Sequence, residues 1–396
     1  MTNKLRIGVV GIGDISNVYL NNLKNYSDAV EVIACASRSL EKAKSKAAEH
    51  GIPRPYASME ELLADDDIDA VLNLTTPDAH FTCTMAALAA GKHVYTEKPL
   101  AATFAEGKKI IRLAAEKGLY VGCAPDTFLG SRLQNCRRLI DEGTLGNVLG
   151  ASAFFVSHGP EWEHSDPTFV VQPGAGPLLD MGPYYVTALL SLLGPVKSIC
   201  AMSSRTFPAR TIELGALKGQ TVPVNTDTHI TASLEFESGA MVTMITSFDV
   251  WDSELPRMEL YGTKGTVCLK DEDPLDGPDV FGGDLLLRTR DEYRWVNFPR
   301  DEECLKREWI TVPCRHAFDS VSHQKNPRGI GLIDMIYAIA ENRPSRASGD
   351  MALHALEVME GIMVSAQEKR FVTMSTSFTL PAPLTPAKDD KSVIFK

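Results

Sequence analysis

The stretch LRIGVVGIGDIS, residues 5–16, decides the fold of this chain. Its first six residues have the pattern of a short buried strand, and Gly11 and Gly13 follow directly, before a helical pattern. A Gly-x-Gly turn between a strand and a helix lets the backbone approach a pyrophosphate, which the free N–H groups of the helix then bind. Ser16 replaces the third glycine and is small enough to pack against the strand. The stretch therefore predicts a dinucleotide site, with a purely structural turn as the alternative.

The residues that follow this loop keep alternating between strand and helix patterns up to about residue 125, in units of roughly 25 residues. Such alternation is typical of a parallel sheet with right-handed crossovers. We therefore predict an α/β protein whose residues 1–125 form a doubly wound Rossmann domain. Residues 126–396 contain mostly strand-like runs separated by turn signals such as Ser238-Gly239, which predicts an α+β domain with a large, mostly antiparallel open sheet.

Composition and charge limit the classes of function. The chain has 396 residues, 44% of them apolar, which fits a two-domain globular protein. Its net charge of −11 argues against nucleic acid and anionic membranes as main partners. No apolar run approaches the ~20 residues that span a bilayer, and no signal peptide precedes the first strand, so we expect a cytoplasmic location. None of the eight cysteines forms a C-x-x-C pair, so no metal site is expected.

The end of the second strand bears on the choice of dinucleotide. NAD sites usually place a carboxylate there for the ribose hydroxyl, whereas this strand ends in Ser37 and Arg38, with Lys42 one helical turn later. A guanidinium suits a 2′-phosphate. We therefore favour NADP; the alternative is that Arg38 stacks on the adenine and NAD binds.

Several motifs together resemble the Gfo/Idh/MocA family of sugar and polyol dehydrogenases. They are the glycine loop, NLTTPDAHF (73–81), EKPLA (97–101), GAGPLLDMGPYY (174–185) and DMIYAIAENRPSRASGDMALHALEVMEGI (334–362). The resemblance extends over nearly the whole chain. It implies a Rossmann domain followed by a domain with a large open sheet, whose outer face often joins subunits, so a homodimer or homotetramer is expected.

The resemblance also implies roles for individual residues. Lys98 of the EKP motif would lie beside the nicotinamide and the substrate hydroxyl, with a cis bond to Pro99. Asp180 matches the family's second motif, and Tyr184 stands where most members carry a histidine base. Two further departures are Thr187, in place of a later acidic residue, and CAPDTFLG (123–130), in place of an Asn-Arg-Arg-like run.

Oxidation of a secondary alcohol needs a hydride acceptor, a base for the hydroxyl proton and a group that stabilises the developing alkoxide. Our hypothesis is that Tyr184 exchanges the proton while Lys98 polarises the hydroxyl and assists Tyr184; the reverse division is the alternative. Asp180 would orient Lys98 or bind a sugar hydroxyl. Asp180 and Tyr184 would share a face if that segment were one helix, but Pro183 fits a first helical turn, which places Asp180 just before the helix.

Two groups of binding residues complete the prediction. The expected cofactor contacts are Gly11, Ile12, Gly13, Asp14, Ile15, Ser37, Arg38, Lys42, Thr75, Thr76, Pro77, His80, Glu97 and Lys98. Glu97 has a surface ion pair as its alternative role, and His80 has capping or packing. An aromatic face and polar groups suit a sugar ring, and the expected substrate contacts are Asp126, His158, Trp162, His164, Asp180 and Tyr184. For the stretch FFVSHGPEWEHSDPTF (154–169), a surface loop or subunit contact is the alternative.

These residues predict an NAD(P)-dependent dehydrogenase that acts on a secondary hydroxyl of a small-molecule sugar, glycoside or polyol. An alternative is an oxidation–elimination glycosidase that recycles its nicotinamide and releases sugar. An alternative of another class is a non-catalytic subunit that senses sugar or cofactor. The presence of Lys98, Asp180 and Tyr184 argues against the last, because a sensor has no need of them.

Overall fold

The structure is a computed structural model that describes residues 4–162, 166–270, 282–289, 309–314 and 328–385. The described chain divides into two compact units. The first contains residues 4–130, 328–357 and 376–385. The second contains the described residues between 131 and 314, together with residues 358–375.

The elements before residue 131 alternate as predicted. The strands are β1 (Leu5–Val10), β2 (Val30–Ala36), β3 (Arg54–Tyr56), β4 (Ala70–Asn73), β5 (His93–Thr96) and β6 (Val121–Cys123). The α-helices are α1 (Asp14–Leu23), α2 (Leu40–His50), α3 (Met59–Leu63), α4 (Pro77–Ala89) and α5 (Phe104–Lys117).

The rest of the described chain is dominated by strands. Its α-helices are α6 (Ser131–Asp141), α7 (Pro177–Asp180), α8 (Gly182–Leu193), α9 (Ile330–Glu341) and α10 (Gly349–Glu368). Its strands are β7 (Val148–Val156), β8 (Val196–Ser204), β9 (Ala209–Thr211), β10 (Thr221–Pro223), β11 (His229–Phe236), β12 (Met241–Ser247), β13 (Met258–Gly262), β14 (Gly265–Leu269), β15 (Leu285–Thr289), β16 (Ile310–Val312) and β17 (Val372–Thr373).

The first unit contains a six-stranded sheet in the order β3-β2-β1-β4-β5-β6, and all its strand pairs are parallel. The order reverses between β1 and β4, which is where doubly wound folds bind their ligands. Local signals define the helices: Thr103 and Glu106 form a capping box at the start of α5, and Gly118 ends that helix with φ 64°. The predicted Rossmann architecture is confirmed.

The second unit contains a nine-stranded sheet in the order β16-β15-β14-β13-β7-β12-β11-β8-β17. Only the central pair of β7 and β12 is parallel among these described strands; the other pairs are antiparallel. Buried and exposed positions alternate along β11 and β12, because one face of the sheet packs on a core that includes α8, all of whose residues are buried. The predicted open, mostly antiparallel sheet is confirmed.

The division into units differs from the predicted single boundary at residue 125. The chain returns to the first unit after residue 327, where backbone N–H groups of Gly329 and Gly331 donate to Oδ2 of Asp126 at 2.8 and 2.9 Å. The Cys123 N–H also donates to the carbonyl of Ala347, at 3.1 Å. The sequence shows a helical pattern near residue 330 but does not show which element this helix packs against. It therefore does not predict that the chain returns to the first unit.

The described residues include seven of the eight cysteines. Cys35, Cys83, Cys123, Cys136, Cys268 and Cys314 are free and buried, and Cys200 is free and half-buried. Within the described ranges, no helix combines the length and apolar character needed to cross a membrane.

Candidate active site

The loops after four parallel strands lie along one edge of the six-stranded sheet. Backbone bonds link them in sequence: Leu74 N–H donates to Val10 O at 2.8 Å, and Glu97 N–H donates to Asn73 O at 2.9 Å. The loop after β6 continues the series, since Ala124 N–H donates to the carbonyl at the end of β5 at 2.9 Å. The glycine loop and the EKP motif are therefore neighbouring parts of one edge.

The glycine loop has the geometry that a dinucleotide needs. Gly11 has φ 90°, and a Cβ added there would lie 2.4 Å from the carbonyl oxygen of Leu74, so only glycine fits. A Cβ on Gly13 would meet nothing within 4 Å. Gly13 is also the N-cap of α1, whose free N–H groups include those of Asp14 and Ile15. This open backbone at a helix N-terminus fits a pyrophosphate.

Ser16 replaces the third glycine without loss of packing. It is fully buried, and its hydroxyl donates to the carbonyl oxygen of Gly13 at 2.6 Å. The small side chain therefore helps to fix the turn beneath the open backbone of Ile12 and Gly13.

The end of β2 carries the residues that bear on the cofactor choice. Ser37 is half-buried and Arg38 is exposed, so the guanidinium is accessible at the carboxyl edge of the sheet. Ser39 caps α2 by accepting the Lys42 N–H at 3.4 Å. The pKa of Asp78 is lowered first by a hydrogen bond from Thr76, with smaller contributions from the nearby charges of His80 and Arg38.

The turn of Thr75, Thr76 and Pro77 is fixed from below by Asn73. The Asn73 Oδ1 accepts from the backbone N–H of Thr75 at 3.2 Å and from its hydroxyl at 2.6 Å. Its amide donates to the carbonyl of His80 at 3.1 Å. Pro77 then begins α4, where its fixed φ suits a first helical position.

Glu97 is a buried anchor of the EKP turn. Only 8% of the residue is exposed. Its Oε1 accepts from the Tyr19 hydroxyl at 2.8 Å and lies 3.9 Å from Nε of Arg328, while Oε2 accepts the Lys98 N–H at 2.8 Å. Glu97 is therefore not a surface ion-pair residue. Lys98 is half-buried, and its bond to Pro99 is cis, as the family resemblance implied.

His80 lies in the first turn of α4 and is 1% exposed. Its ring contacts two carbonyl oxygens: Nδ1 lies 2.7 Å from that of Pro99, and Nε2 lies 2.9 Å from that of Thr75. The side chain thus connects the Thr75 turn to the EKP turn.

The second unit carries Asp180 and Tyr184. Asp180 ends the short helix α7, and Pro183 lies in the first turn of α8, so Asp180 precedes the longer helix as predicted. The Asp180 N–H donates to the carbonyl of Gly176, the N-cap of α7, at 3.0 Å. Tyr184 is buried and Asp180 is half-buried. Tyr185 is also buried and packs against Phe155.

The loop after β7 presents aromatic side chains. Trp162 is 51% exposed, and the ring of His158 stacks on that of Trp251, with ring centroids 3.1 Å apart and planes 13° apart. Trp251, which follows β12, is 72% exposed and was missed in the sequence. The polar residues that follow it, DSE (252–254), are the signal that it lies in an exposed loop. His164 lies outside the described residues.

A buried ionic cluster supports this loop. The Arg210 guanidinium donates to the His158 carbonyl at 2.7 Å, to the Phe248 carbonyl at 2.6 Å and to Asp249 Oδ1 at 2.5 Å, and it also pairs with Glu161. Loss of any one partner would leave a buried charge unpaired, so the cluster holds together. Through its bond to the His158 carbonyl, Arg210 fixes the backbone that carries His158.

Asp126 does not match its predicted role. It is fully buried, and its Oδ2 accepts the N–H groups of Gly329 and Gly331 at the start of α9. Burial raises the pKa of this carboxyl group, although the two backbone bonds oppose the shift. A carboxylate without exposed surface has no contact to offer a substrate, so Asp126 stabilises the helix start in this structure.

The family models decide the classification. Residues 5–124 match the oxidoreductase family with an NAD-binding Rossmann fold, and residues 133–268 match the Gfo/Idh/MocA C-terminal domain. The chain belongs to the Gfo/Idh/MocA family. It is therefore an oxidoreductase with an NAD-binding Rossmann domain, and the predicted enzyme class is confirmed.

Curated relatives act on sugars and diols. The chain is 27% identical over 268 residues to 1,5-anhydro-D-fructose reductase from Ensifer adhaerens, covering 66% of this chain and 74% of that enzyme. It is 32% identical over 194 residues to trans-1,2-dihydrobenzene-1,2-diol dehydrogenase from Macaca fascicularis. That alignment covers 49% of this chain and 57% of the diol dehydrogenase, so it spans little more than half of that relative.

Solved structures share the fold over nearly the whole chain. An NAD-binding oxidoreductase from Klebsiella pneumoniae has a TM-score of 0.78 at 22% identity, covering 94% of this chain and 99% of that one. Levoglucosan dehydrogenase in complex with NADH and levoglucosan has a TM-score of 0.76 at 19% identity, covering 94% and 100%. At these identities the likeness establishes the fold alone.

Proposed function

We propose that this protein transfers a hydride between a secondary hydroxyl of a sugar, glycoside or polyol and a nicotinamide dinucleotide, with NADP preferred. The observation that carries the proposal is the position of Lys98. It follows β5 at the carboxyl edge of the sheet, one strand from the order reversal, and buried Glu97 fixes its backbone N–H. The two curated relatives described above, an anhydrofructose reductase and a diol dehydrogenase, support the substrate class.

The cofactor would be held by the edge of the first unit. The backbone of Gly11, Ile12, Gly13, Asp14 and Ile15 would bind the pyrophosphate, because it is open and ends at a helix N-terminus. When bound, the nicotinamide supplies the hydride acceptor or donor.

The adenosine end of the cofactor would meet the loop after β2. Arg38 and Lys42 would neutralise a 2′-phosphate, and Ser37 would donate a hydrogen bond to it. Thr75, Thr76 and Pro77 would line the approach to the nicotinamide. Their turn is held in place by Asn73 and His80.

The proton chemistry is assigned to Lys98, Tyr184 and Asp180. An ammonium group beside a hydroxyl stabilises the alkoxide that forms as the hydride leaves. Tyr184 would exchange the hydroxyl proton, and a neighbouring cation favours its ionised form. Asp180 would orient the ammonium or accept a hydrogen bond from a sugar hydroxyl.

Sugar recognition is assigned to the loop that follows β7. Trp162 offers an exposed aromatic face, and His158 is fixed by its stacking on Trp251 and by the Arg210 cluster. Aromatic faces with a few fixed polar groups suit a pyranose ring. Trp251 joins the candidates on the same grounds, as does His164 on the sequence alone.

A homodimer or homotetramer through the nine-stranded sheet is part of the proposal. Met202 on β8 and Met241 on β12 are exposed, although large apolar side chains on a sheet face favour burial. Light scattering on the purified protein measures the oligomer size, and a monomer at micromolar concentration would rule this part out.

The decisive experiment is a panel of sugars, glycosides and polyols incubated with NAD and NADP. Formation of reduced nicotinamide, measured by its ultraviolet absorbance, identifies a dehydrogenase, and mass spectrometry identifies the oxidised carbon. Sugar release without net reduced nicotinamide would favour the oxidation–elimination glycosidase instead. Tight binding of dinucleotide and sugar without either product would favour the sensor.

Lys98→Ala tests the central residue. We expect kcat to fall by about 10²-fold or more, the scale of losing an electrostatic or proton-transfer group. The control is Lys44→Ala, which removes an exposed lysine that pairs with Glu41 on α2 and should leave kcat unchanged. A near-normal rate in Lys98→Ala would remove Lys98 from the chemistry.

A further inference from the structure

His80 is almost completely buried, and both of its ring nitrogens lie at hydrogen-bond distance from a carbonyl oxygen. Both of its ring nitrogens face main-chain carbonyl oxygens, Nδ1 that of Pro99 at 2.7 Å and Nε2 that of Thr75 at 2.9 Å. A carbonyl oxygen accepts hydrogen bonds and cannot donate them. A neutral imidazole carries a proton on one nitrogen only, so it can satisfy one of these contacts and turns a lone pair toward the other oxygen.

The burial of His80 makes that mismatch costly. No water fits between atoms that lie 2.7 or 2.9 Å apart, and an acceptor that faces an acceptor at such a distance is repulsive. The doubly protonated ring removes the mismatch because it donates at both nitrogens. We propose that His80 is held as an imidazolium that fastens the Thr75 turn to the Lys98–Pro99 turn and so positions Lys98.

The elements around His80 carry charged groups of both signs. On its own helix, Asp78 interacts electrostatically with His80, and this interaction is among the causes that lower the Asp78 pKa. Arg38, after β2, acts on the same carboxylate. The EKP turn carries one carboxylate, Glu97, and one cation, Lys98. On α5, Nζ of Lys109 lies 5.8 Å from the ring centroid of Phe81, which follows His80 in α4.

The two bonded turns are those assigned to the chemistry. Thr75 belongs to the turn that would approach the nicotinamide, and Pro99 follows Lys98 directly. Loss of one ring proton breaks one bond and frees one turn, so the bond geometry links the protonation of His80 to the position of Lys98. His80 is thus a positioning residue, and only its kinetic consequence rests on the proposed function.

His93 provides a matched internal control in the same sheet. It opens β5, and its Nδ1 accepts the backbone N–H of Tyr120 at 3.0 Å. A nitrogen that accepts must lack a proton, and burial lowers the pKa of His93. The two histidines therefore have opposite partners: His80 faces two acceptors, whereas His93 faces a donor.

The test is two-bond ¹H–¹⁵N spectroscopy of the full-length protein labelled at histidine nitrogens, with no substrate present. His80→Gln and His93→Gln assign the two rings by disappearance of their signals, and His80→Asn replaces the first variant if that variant does not fold. We expect both nitrogens of His80 to be protonated at neutral pH, while His93 shows an unprotonated Nδ1. A single-proton tautomer of His80 at neutral pH would overturn the proposal.

A kinetic measurement separates positioning from mere folding. His80→Gln, which cannot donate along both directions, should lower kcat about 10- to 100-fold, the scale of a misplaced reacting group. The loss should appear in kcat, with little change in KM for the sugar or the dinucleotide. A variant with wild-type kcat overturns the positioning role. If Lys98→Ala is fully active, the proposed function fails, but the nitrogen spectra still decide the state of His80.

Discussion

The bond between Tyr19 and Glu97 can be tested by removing a single oxygen atom. The Tyr19 hydroxyl donates to Glu97 Oε1 at 2.8 Å inside the first unit, and both residues are buried. Burial raises the Tyr19 pKa well above its ordinary value, so the hydroxyl keeps its proton and remains the donor. Tyr19→Phe leaves the ring packing intact but withdraws that donor from a buried carboxylate.

The expected loss follows from the partners that remain. Hydrogen bonds to charged groups contribute about 1.5–3 kcal/mol, and Arg328, whose Nε lies 3.9 Å from Oε1, offsets only part of that. We expect Tyr19→Phe to destabilise the protein by about 2 kcal/mol, which lowers Tm by about 4–8 °C for a unit of this size. Glu97 also fixes the Lys98 N–H, so kcat should fall severalfold as well.

Thermal unfolding by circular dichroism without dinucleotide measures the effect, and Tyr56→Phe is the control. The Tyr56 hydroxyl also donates to a carboxylate, Asp65 Oδ2 at 2.9 Å, but it lies at the half-exposed edge strand, and Arg54 pairs with the same oxygen. Its loss should cost less than about 1 kcal/mol. Equal changes in Tm for the two variants would refute the view that burial makes the Tyr19 bond strong.

Three further substitutions test separate parts of the molecule. Arg38→Ala should raise the Kd of NADP about 10- to 100-fold and that of NAD less than about threefold, because a charged contact to phosphate is lost. Gly11→Ala should cost about 1–3 kcal/mol from positive φ alone, and its Cβ would displace the Leu74 carbonyl, so Tm and dinucleotide affinity should both fall. Asp126→Asn should gain stability relative to wild type as the pH rises from about 4 to about 8, because the raised pKa of Asp126 makes its ionisation increasingly unfavourable in the folded state over that range.

Each of these has a decisive measurement. Fluorescence titration with both dinucleotides tests Arg38, and equal losses for NAD and NADP would end the NADP preference. Gly13→Ala is the control for Gly11→Ala: its Cβ meets nothing within 4 Å, so Tm should hold while dinucleotide affinity falls. Urea unfolding at several pH values tests Asp126→Asn, and a stability difference that is independent of pH would contradict the assignment.

The parts of the fold that depend on local pattern were predictable. The alternation of strands and helices predicts the parallel sheet, and the Gly11 turn predicts which end of it binds a ligand. Pro183 correctly predicts that Asp180 precedes α8. These features are encoded within a few residues of where they occur.

The parts of the fold and of the site that depend on contacts between distant residues could not be predicted from the sequence. Asp126 looks like a polar residue at a strand end, as a substrate ligand would, but its partners lie 203 and 205 residues away. The sequence leaves a surface position open for Glu97, because its partner Tyr19, which donates a hydrogen bond to it, lies 78 residues earlier. Trp251 lies in a loop without a motif, and its stacking on His158 depends on the parallel pairing of β7 with β12.

The return of the chain to its first unit has a consequence for biosynthesis. Asp126 accepts hydrogen bonds from Gly329 and Gly331, which are translated about 200 residues later. Arg346 donates to the carbonyls of Ala382 and Pro383. The first unit therefore contains residues that are translated near the end of the chain. A ribosome that has made only the first 130 residues has made an incomplete Rossmann unit with a buried carboxylate still unpaired. We therefore expect nascent chains to gain protease resistance in this unit only after residue 385 has emerged from the exit tunnel.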